Sequence, residues 1–270
     1  MRTRLVIMGG GRMGSALAAG LVASDWGSGS EISVVEKNPA RRIELSVSQP
    51  ELAVCPEPPT DLDDGTGWVL AVKPADAQEA GRQVQSMWGV RPGPVLSIVA
   101  GLRLARLESW LGDASRVIRA MPNTPALVGA GASALSRGGS ATDQDVAWSE
   151  AILSAVGSVH WVPESLLDAV TGLSGSGPAY VFLMAEALTE AGVLVGLSRD
   201  LSLALTTQTL LGAAQMLAQG SEGPEALRAA VTSPGGTTAA GIKALEDKGM
   251  RSAFMDAVVA ATAKSIELGA

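Results

Sequence analysis

The chain predicts an α/β protein in two parts, a doubly wound sheet over residues 1–162 and an all-helical region over 163–270. Three observations carry this reading. Short apolar runs alternate with helical patterns through the first part, a glycine loop follows the first run, and strand signals stop near Pro163. The apolar runs are Leu5-Val6-Ile7-Met8, Ile32-Ser33-Val34-Val35, Trp68-Val69-Leu70-Ala71-Val72, Val95-Leu96-Ser97-Ile98-Val99 and Arg116-Val117-Ile118-Arg119-Ala120. Runs of four to six such residues between turn signals fit strands buried on both faces of a parallel sheet. Helices are expected from Met13 to Ala23, from Pro39 through Leu45, and from Leu104 to Leu111. The stretch between Cys55 and Gly67 is polar, with room for one short strand. Late strands at 132–136 and 158–162 flank a helix starting at Thr142.

Beyond Pro163 the pattern predicts helices at 165–173, 178–195, 199–218, 224–231, 237–248 and 251–268. Gly196-Leu197-Ser198 supplies a helix stop and an N-cap, and Gly223-Pro224 a second start. The helix from Pro178 is apolar almost all round, which requires cover on every side. About a hundred residues cannot supply that cover, so a partner subunit is expected.

Composition narrows the class. The chain has 270 residues, 47% of them hydrophobic, and a net charge of −7, which argues against nucleic acid as a partner. Cys55 is the one cysteine, so no internal disulfide forms and a cytoplasmic setting is expected. Neither a leader nor a membrane span is expected, since the apolar stretch from Ala179 to Leu197 is broken by Glu186 and Glu190.

Gly9-Gly10-Gly11-Arg12-Met13-Gly14 matches G-x-G-x-x-G after a strand and before a helix, the context of a Rossmann-like dinucleotide site. At the end of the second strand, Glu36 suits the ribose hydroxyls of NAD, whereas Lys37, Asn38, Arg41 and Arg42 suit a 2′-phosphate. The cofactor preference is open on these residues, with a lean toward NADPH. Val72-Lys73-Pro74 ends the central strand at the nucleotide edge, and Arg119 through Pro125 forms a polar loop there. Gly172-Leu173-Ser174-Gly175-Ser176-Gly177-Pro178-Ala179-Tyr180 reads as a small-residue loop between helices. Glu164 and Asp168 precede it and can either orient a cationic group or face solvent.

In the helical half, Thr232-Ser233-Pro234-Gly235-Gly236-Thr237-Thr238 breaks the helical pattern. Pro234 removes a donor, the glycines free the backbone, and helical sequence resumes at once. The N–H groups of Gly236, Thr237 and Thr238 are therefore expected at a helix N-terminus beside two hydroxyls, a setting for a small carboxylate without fixed cations. A plain capped loop is the alternative.

Taken together, these pieces resemble the pyrroline-5-carboxylate reductase family. The motifs at 9–14, 71–74, 119–125, 173–180 and 233–238 stand in family order and spacing, covering essentially the whole chain. The resemblance implies a Rossmann domain, an intertwined helical dimerisation domain, and NAD(P)H-dependent reduction of 1-pyrroline-5-carboxylate to L-proline. It implies NADPH as cofactor with NADH also used, and cofactor contacts at Gly10, Arg12, Met13, Lys37, Val72, Lys73 and Ala100. With the fingerprint and its neighbours, the expected cofactor set is Gly9, Gly10, Gly11, Arg12, Met13, Gly14, Lys37, Asn38, Val72, Lys73, Pro74 and Ala100. The expected substrate set is Glu164, Ser233, Gly236, Thr237 and Thr238, with Thr238 as the group that hydrogen-bonds the imine nitrogen. No metal is expected. A homodimer follows, with a larger ring of dimers, a decamer, compatible with it. The sequence departs from the family at Glu36, at Ala230 in place of an asparagine, and at Gly223 in place of a histidine. A reductase of a related cyclic imine carboxylate and a non-catalytic nucleotide sensor are the alternatives.

Overall fold

The computed structural model describes residues 3–87, 93–112, 114–220 and 222–269. Among the described residues, eight strands form one sheet in the order β3-β2-β1-β4-β5-β6-β7-β8. They are β1 (Thr3–Met8), β2 (Ile32–Val35), β3 (Ala53–Cys55), β4 (Leu62–Leu70), β5 (Val95–Ser97), β6 (Val117–Met121), β7 (Gly131–Arg137) and β8 (Gly157–Trp161). β1 through β6 run parallel, β7 is antiparallel to β6, and β8 is again parallel to β7. The expected all-parallel sheet therefore holds through β6 and reverses at β7, because the short turn at Thr124–Val128 cannot carry a parallel crossover.

Alternation along each strand divides the core in two. Leu5 and Ile7 of β1 pack with Leu17 and Leu21 of α1 (Arg12–Ala23), Leu45 of α2 (Pro39–Ser48), and Ile152 and Leu153 of α5 (Asp143–Ser154). Val6 and Met8 face the opposite way, onto Ala80 and Val84 of α3 (Ala77–Met87) and Leu104 and Leu107 of α4 (Leu104–Leu111). This is the doubly wound arrangement, with helices on both faces of the sheet.

Details differ from expectation in three places. β4 starts six residues before Trp68 and ends at Leu70, because the glycine loop crosses its end at Ala71. The short strand expected after Cys55 lies at Ala53–Cys55, pairing with β2. Helix α3 was not anticipated; it buries Ala77, Ala80, Gly81 and Val84, a face of small residues that is easily passed over beside the longer apolar runs.

By internal contacts the chain divides into two compact units, Met1–Ser176 with Ala260–Ala270, and Gly177–Val259. The sheet ends near the expected boundary at 162, but the compact unit extends further. Leu167 of α6 (Leu167–Val170) is fully buried, and the amide Nδ2 of Asn123 donates to the Ser174 carbonyl at 3.0 Å. The returning C-terminus is held by Ser265, whose hydroxyl lies 2.7 Å from Asp168 Oδ1.

The second unit holds α7 (Gly177–Leu194), α8 (Arg199–Ala218), α9 (Pro224–Ala230), α10 (Thr237–Asp247) and the first half of α11 (Met250–Leu268). Among its described residues, the buried ones are Thr189, Ser202 and Thr206. Ser202 donates to the Thr189 carbonyl at 2.7 Å, tying α7 to α8. Large apolar side chains such as Phe182 (63% exposed) and Leu194 (87% exposed) stand in the open. Helix α8 is long and apolar enough to cross a membrane, with a mean hydropathy of 1.2.

One buried charge marks a stability determinant. Asp145 is 2% exposed. Its Oδ2 accepts from the Thr142 N–H and hydroxyl, both at 2.7 Å, and its Oδ1 lies 3.3 Å from Arg116. Asp145→Ala removes this capping box and should destabilise the fold by about 2 kcal/mol, read as a lowered thermal midpoint. An unchanged midpoint would contradict it.

Candidate active site

The crevice of an open α/β sheet forms where strand order reverses, which here is between β1 and β4. Gly9 follows β1 with φ +110°, and its N–H donates to the Val35 carbonyl at 2.8 Å. A Cβ on Gly9 would stand 2.5 Å from the Ala71 carbonyl, and one on Gly14 would stand 2.0 Å from the Gly9 carbonyl. These two glycines are required by packing. Gly11 differs: a Cβ there would meet no protein atom within 4 Å. Gly11 is also the N-cap of α1, without a side-chain cap, so the first N–H groups of the helix point into open space.

A cleft of about 600 Å³ opens at this point. It is lined by Gly9, Gly11, Arg12, Lys37, Asn38, Val72 and Lys73 among the expected cofactor residues, together with Glu36 and Arg41. Asp76 of the turn before α3, and Ala80 and Gln83 of α3, line it from the other side, and the sequence reading missed them along with that helix. Pro74 at the head of an amphipathic stretch was the available signal. Gly10 is buried beneath the loop, while Pro74 and Ala100 line a neighbouring cavity of about 270 Å³.

The charges behind the glycine loop are already engaged. Glu36 accepts from the Gly10 N–H at 3.1 Å and from the Asn38 N–H at 2.8 Å. Arg41 Nε donates to the Gly10 carbonyl at 2.9 Å, and Arg42 donates to the carbonyls of Glu36 and Lys37 at 2.9 and 2.8 Å. Both arginines thus brace the backbone. Lys37 and Asn38 are exposed at the cleft, and Asn38 Oδ1 caps α2 by accepting from the Ala40 N–H. The open face over Gly11, the unpaired helix N-terminus and the lysines at 37 and 73 fit a dinucleotide phosphate group.

Glu164 has a defined occupation. Its Oε1 accepts from Arg119 at 2.9 Å and from the Leu104 N–H at 2.7 Å. Arg119 is 6% exposed and Asn123 bridges Ala132 and Ser174, so the 119–125 segment is a buried brace rather than an open loop. The 172–177 segment is likewise helical: Thr171–Gly175 forms a π turn leading into α7, closed by the Ser176 N–H on the Thr171 carbonyl at 2.8 Å.

In the second unit, Ser233-Pro234-Gly235-Gly236 closes a type II turn. The Gly236 N–H donates to the Ser233 carbonyl at 3.0 Å, with Gly235 at φ +68°. The Gly236 N–H is therefore taken, contrary to expectation. Gly236 is the N-cap of α10 without a side-chain cap, and exposed Thr237 and Thr238 fill its first two positions. Their N–H groups have no partner within the helix.

Two substitutions separate packing from binding. Gly11→Ala meets no protein atom, so it should leave the thermal midpoint unchanged and weaken dinucleotide binding by at least about tenfold through loss of close backbone approach. Gly14→Ala forces a clash with the Gly9 carbonyl and should lower the midpoint itself. Equal melting effects from both would contradict this division.

Comparison with known proteins agrees with the geometry. Residues 164–268 match the family model for pyrroline-5-carboxylate reductase dimerisation, and residues 4–101 match one for NADP oxidoreductase, coenzyme F420-dependent. The chain is 45% identical to a pyrroline-5-carboxylate reductase of Synechocystis over 270 residues, covering 100% of this chain and 99% of that one. It is 40% identical to one from Mycobacterium tuberculosis, covering 98% and 96%. The solved reductase of Coxiella burnetii superposes with a TM-score of 0.89 at 34% identity over the full length of both chains. That of Plasmodium falciparum, solved with NADP bound, gives 0.85 at 31% identity over 99% and 98%. The chain belongs to the pyrroline-5-carboxylate reductase family.

Proposed function

We propose that the protein reduces 1-pyrroline-5-carboxylate to L-proline with NADPH, as a cytoplasmic homodimer. The observation that carries this reading is one chain holding both a dinucleotide cleft at Gly11 and a cation-free helix N-terminus flanked by hydroxyls at Thr237 and Thr238. When bound, the nicotinamide supplies a hydride to the imine carbon. The chain's residues bind and orient. The N–H groups of Thr237 and Thr238 hold the substrate carboxylate, and the Thr238 hydroxyl hydrogen-bonds the ring nitrogen. Ser233 and Gly236 shape the turn that presents them. In the first unit, Glu164 fixes Arg119 and the Leu104 N–H. A protonated imine is already electrophilic, so alignment rather than a strong protein acid carries the rate.

NADPH is favoured through Lys37 and the Asn38 amide, since Arg41 and Arg42 are engaged with backbone. Gly9, Gly10, Gly11, Arg12, Met13 and Gly14 provide the pyrophosphate turn, and Val72, Lys73, Pro74 and Ala100 the strand-end wall. The exposed apolar faces of α7, α8 and α11 call for a second copy of the chain, which supports the dimer.

Purified protein should consume NADPH when given pyrroline-5-carboxylate; background rates despite NADPH binding would refute the assignment. Thr238→Ala should lower turnover by about ten- to a hundredfold with cofactor affinity intact, and Thr238→Ser should retain most activity. Lys37→Ala should raise the KM for NADPH by about tenfold or less and spare NADH. Light scattering at micromolar protein should find a dimer or a multiple of it, and a folded, active monomer would exclude the dimer.

A further inference from the structure

The last turns of α11 belong to the first unit and end against the loop that joins β5 to α4. Gly101 of that loop takes φ +73°, and a Cβ on it would lie 3.4 Å from the Leu268 carbonyl oxygen. A Cβ on Gly269 would lie 3.0 Å from the Gly101 carbonyl oxygen, so two backbones meet here with no side chain between them. Arg103 closes the contact: its Nε donates to the Gly269 carbonyl at 3.2 Å, beyond the last turn of α11, where a cation is favoured. Arg103 is also the N-cap of α4, and the N–H after it, that of Leu104, donates to Glu164 at 2.7 Å. At the other end of the loop, the Ile98 N–H donates to the Leu70 carbonyl at 3.0 Å. Exposed Ala100 stands between these holds.

The loop abuts the wall of the dinucleotide cleft. Ala100 and Gly101 share the 270 Å³ cavity with Pro74 and Ala75. Val72 and Lys73, directly before Pro74, line the cleft itself. Sheets of this kind bind a dinucleotide across the crevice at the switch point, with the adenosine half read at the end of β2. β4 and β5 lie on the other side of that point, so the loops that follow them receive the half bearing the nicotinamide.

We infer that Arg103 is a positioning residue for the cofactor: by fastening the Leu268-Gly269 turn over Gly101, it fixes the β5–α4 loop where the nicotinamide half is received. It acts through the loop. This deepens the proposed function and rests on the dinucleotide part of it.

Equilibrium binding to the whole protein tests this without turnover. The probes are NADPH and adenosine 2′,5′-bisphosphate, which lacks the nicotinamide half. Arg103→Ala should weaken NADPH by about three- to tenfold, the value of one hydrogen bond from a charged group, and leave the bisphosphate unchanged. Unchanged bisphosphate affinity also shows that the variant is folded. Arg103→Lys keeps a donor and should keep most of the NADPH affinity. A chain ending at Glu267 should reproduce Arg103→Ala, and combining the two changes should add no further loss, since both break one contact. Unchanged NADPH affinity in Arg103→Ala, equal losses for both probes, or additive losses in the combined variant overturn the inference and leave the proposed function standing. The expected binding pattern without turnover of pyrroline-5-carboxylate supports the inference and refutes the proposed reaction. Failure of wild type to bind NADPH overturns both.

Discussion

The close crossing of the glycine loop over the end of β4 governs the first unit. Gly9 can take φ +110° and approach Ala71 only because it lacks a side chain, and Gly14 seats α1 against the Gly9 carbonyl for the same reason. That crossing ends β4 at Leu70 and sets the start of α1 at Arg12. It leaves Gly11 as the point where backbone faces open space. Behind it, Glu36 and Arg41 hold Gly10 by its N–H and its carbonyl, and Arg42 holds the segment after β2. The cleft is therefore a consequence of how three glycines divide two tasks, packing at Gly9 and Gly14 and access at Gly11.

The second unit obeys the opposite constraint. Its described buried residues are hydroxyl-bearing, and its leucines and phenylalanines lie outside. Small side chains at the α7–α8 contact let the two helices approach closely, with Ser202 bonded across to Thr189. A helical unit arranged in this way has little interior of its own. Its apolar surface is an interface waiting for a second surface, consistent with the match of residues 164–268 to a dimerisation family model.

Legibility from sequence followed side-chain size and backbone strain. β1, β2, β5 and β6 were readable because Val, Leu and Ile runs sit between turn residues, and α8 was placed at Arg199–Ala218 from its serine cap and preceding glycine. Helix α3 escaped because its buried face is alanine, glycine and one valine. β7 was expected at 132–136, but its antiparallel direction escaped because strand direction leaves no mark on local composition. At the site, the glycine fingerprint and the 233–238 turn were visible as chemistry. The engagement of Arg41, Arg42 and Glu164 was not, because a long charged side chain reads the same whether it meets solvent, a ligand or a distant carbonyl. The Gly236 N–H was misjudged for a related reason, since the turn that consumes it is a property of backbone closure.

The two-sided hold of Glu36 bears on how such a protein can change over time. In many dinucleotide sites the acidic residue after β2 reads the ribose and can be exchanged when cofactor use shifts. Here the same carboxylate fastens Gly10 to Asn38, so its loss would slacken the phosphate turn whichever nucleotide is present. A substitution at Glu36 would therefore loosen the frame, whereas one at exposed Lys37 would change what the cleft presents to a ligand and leave the frame intact. One carboxylate here serves as a structural fastener, while the side chains beside it are held by nothing but solvent and cap.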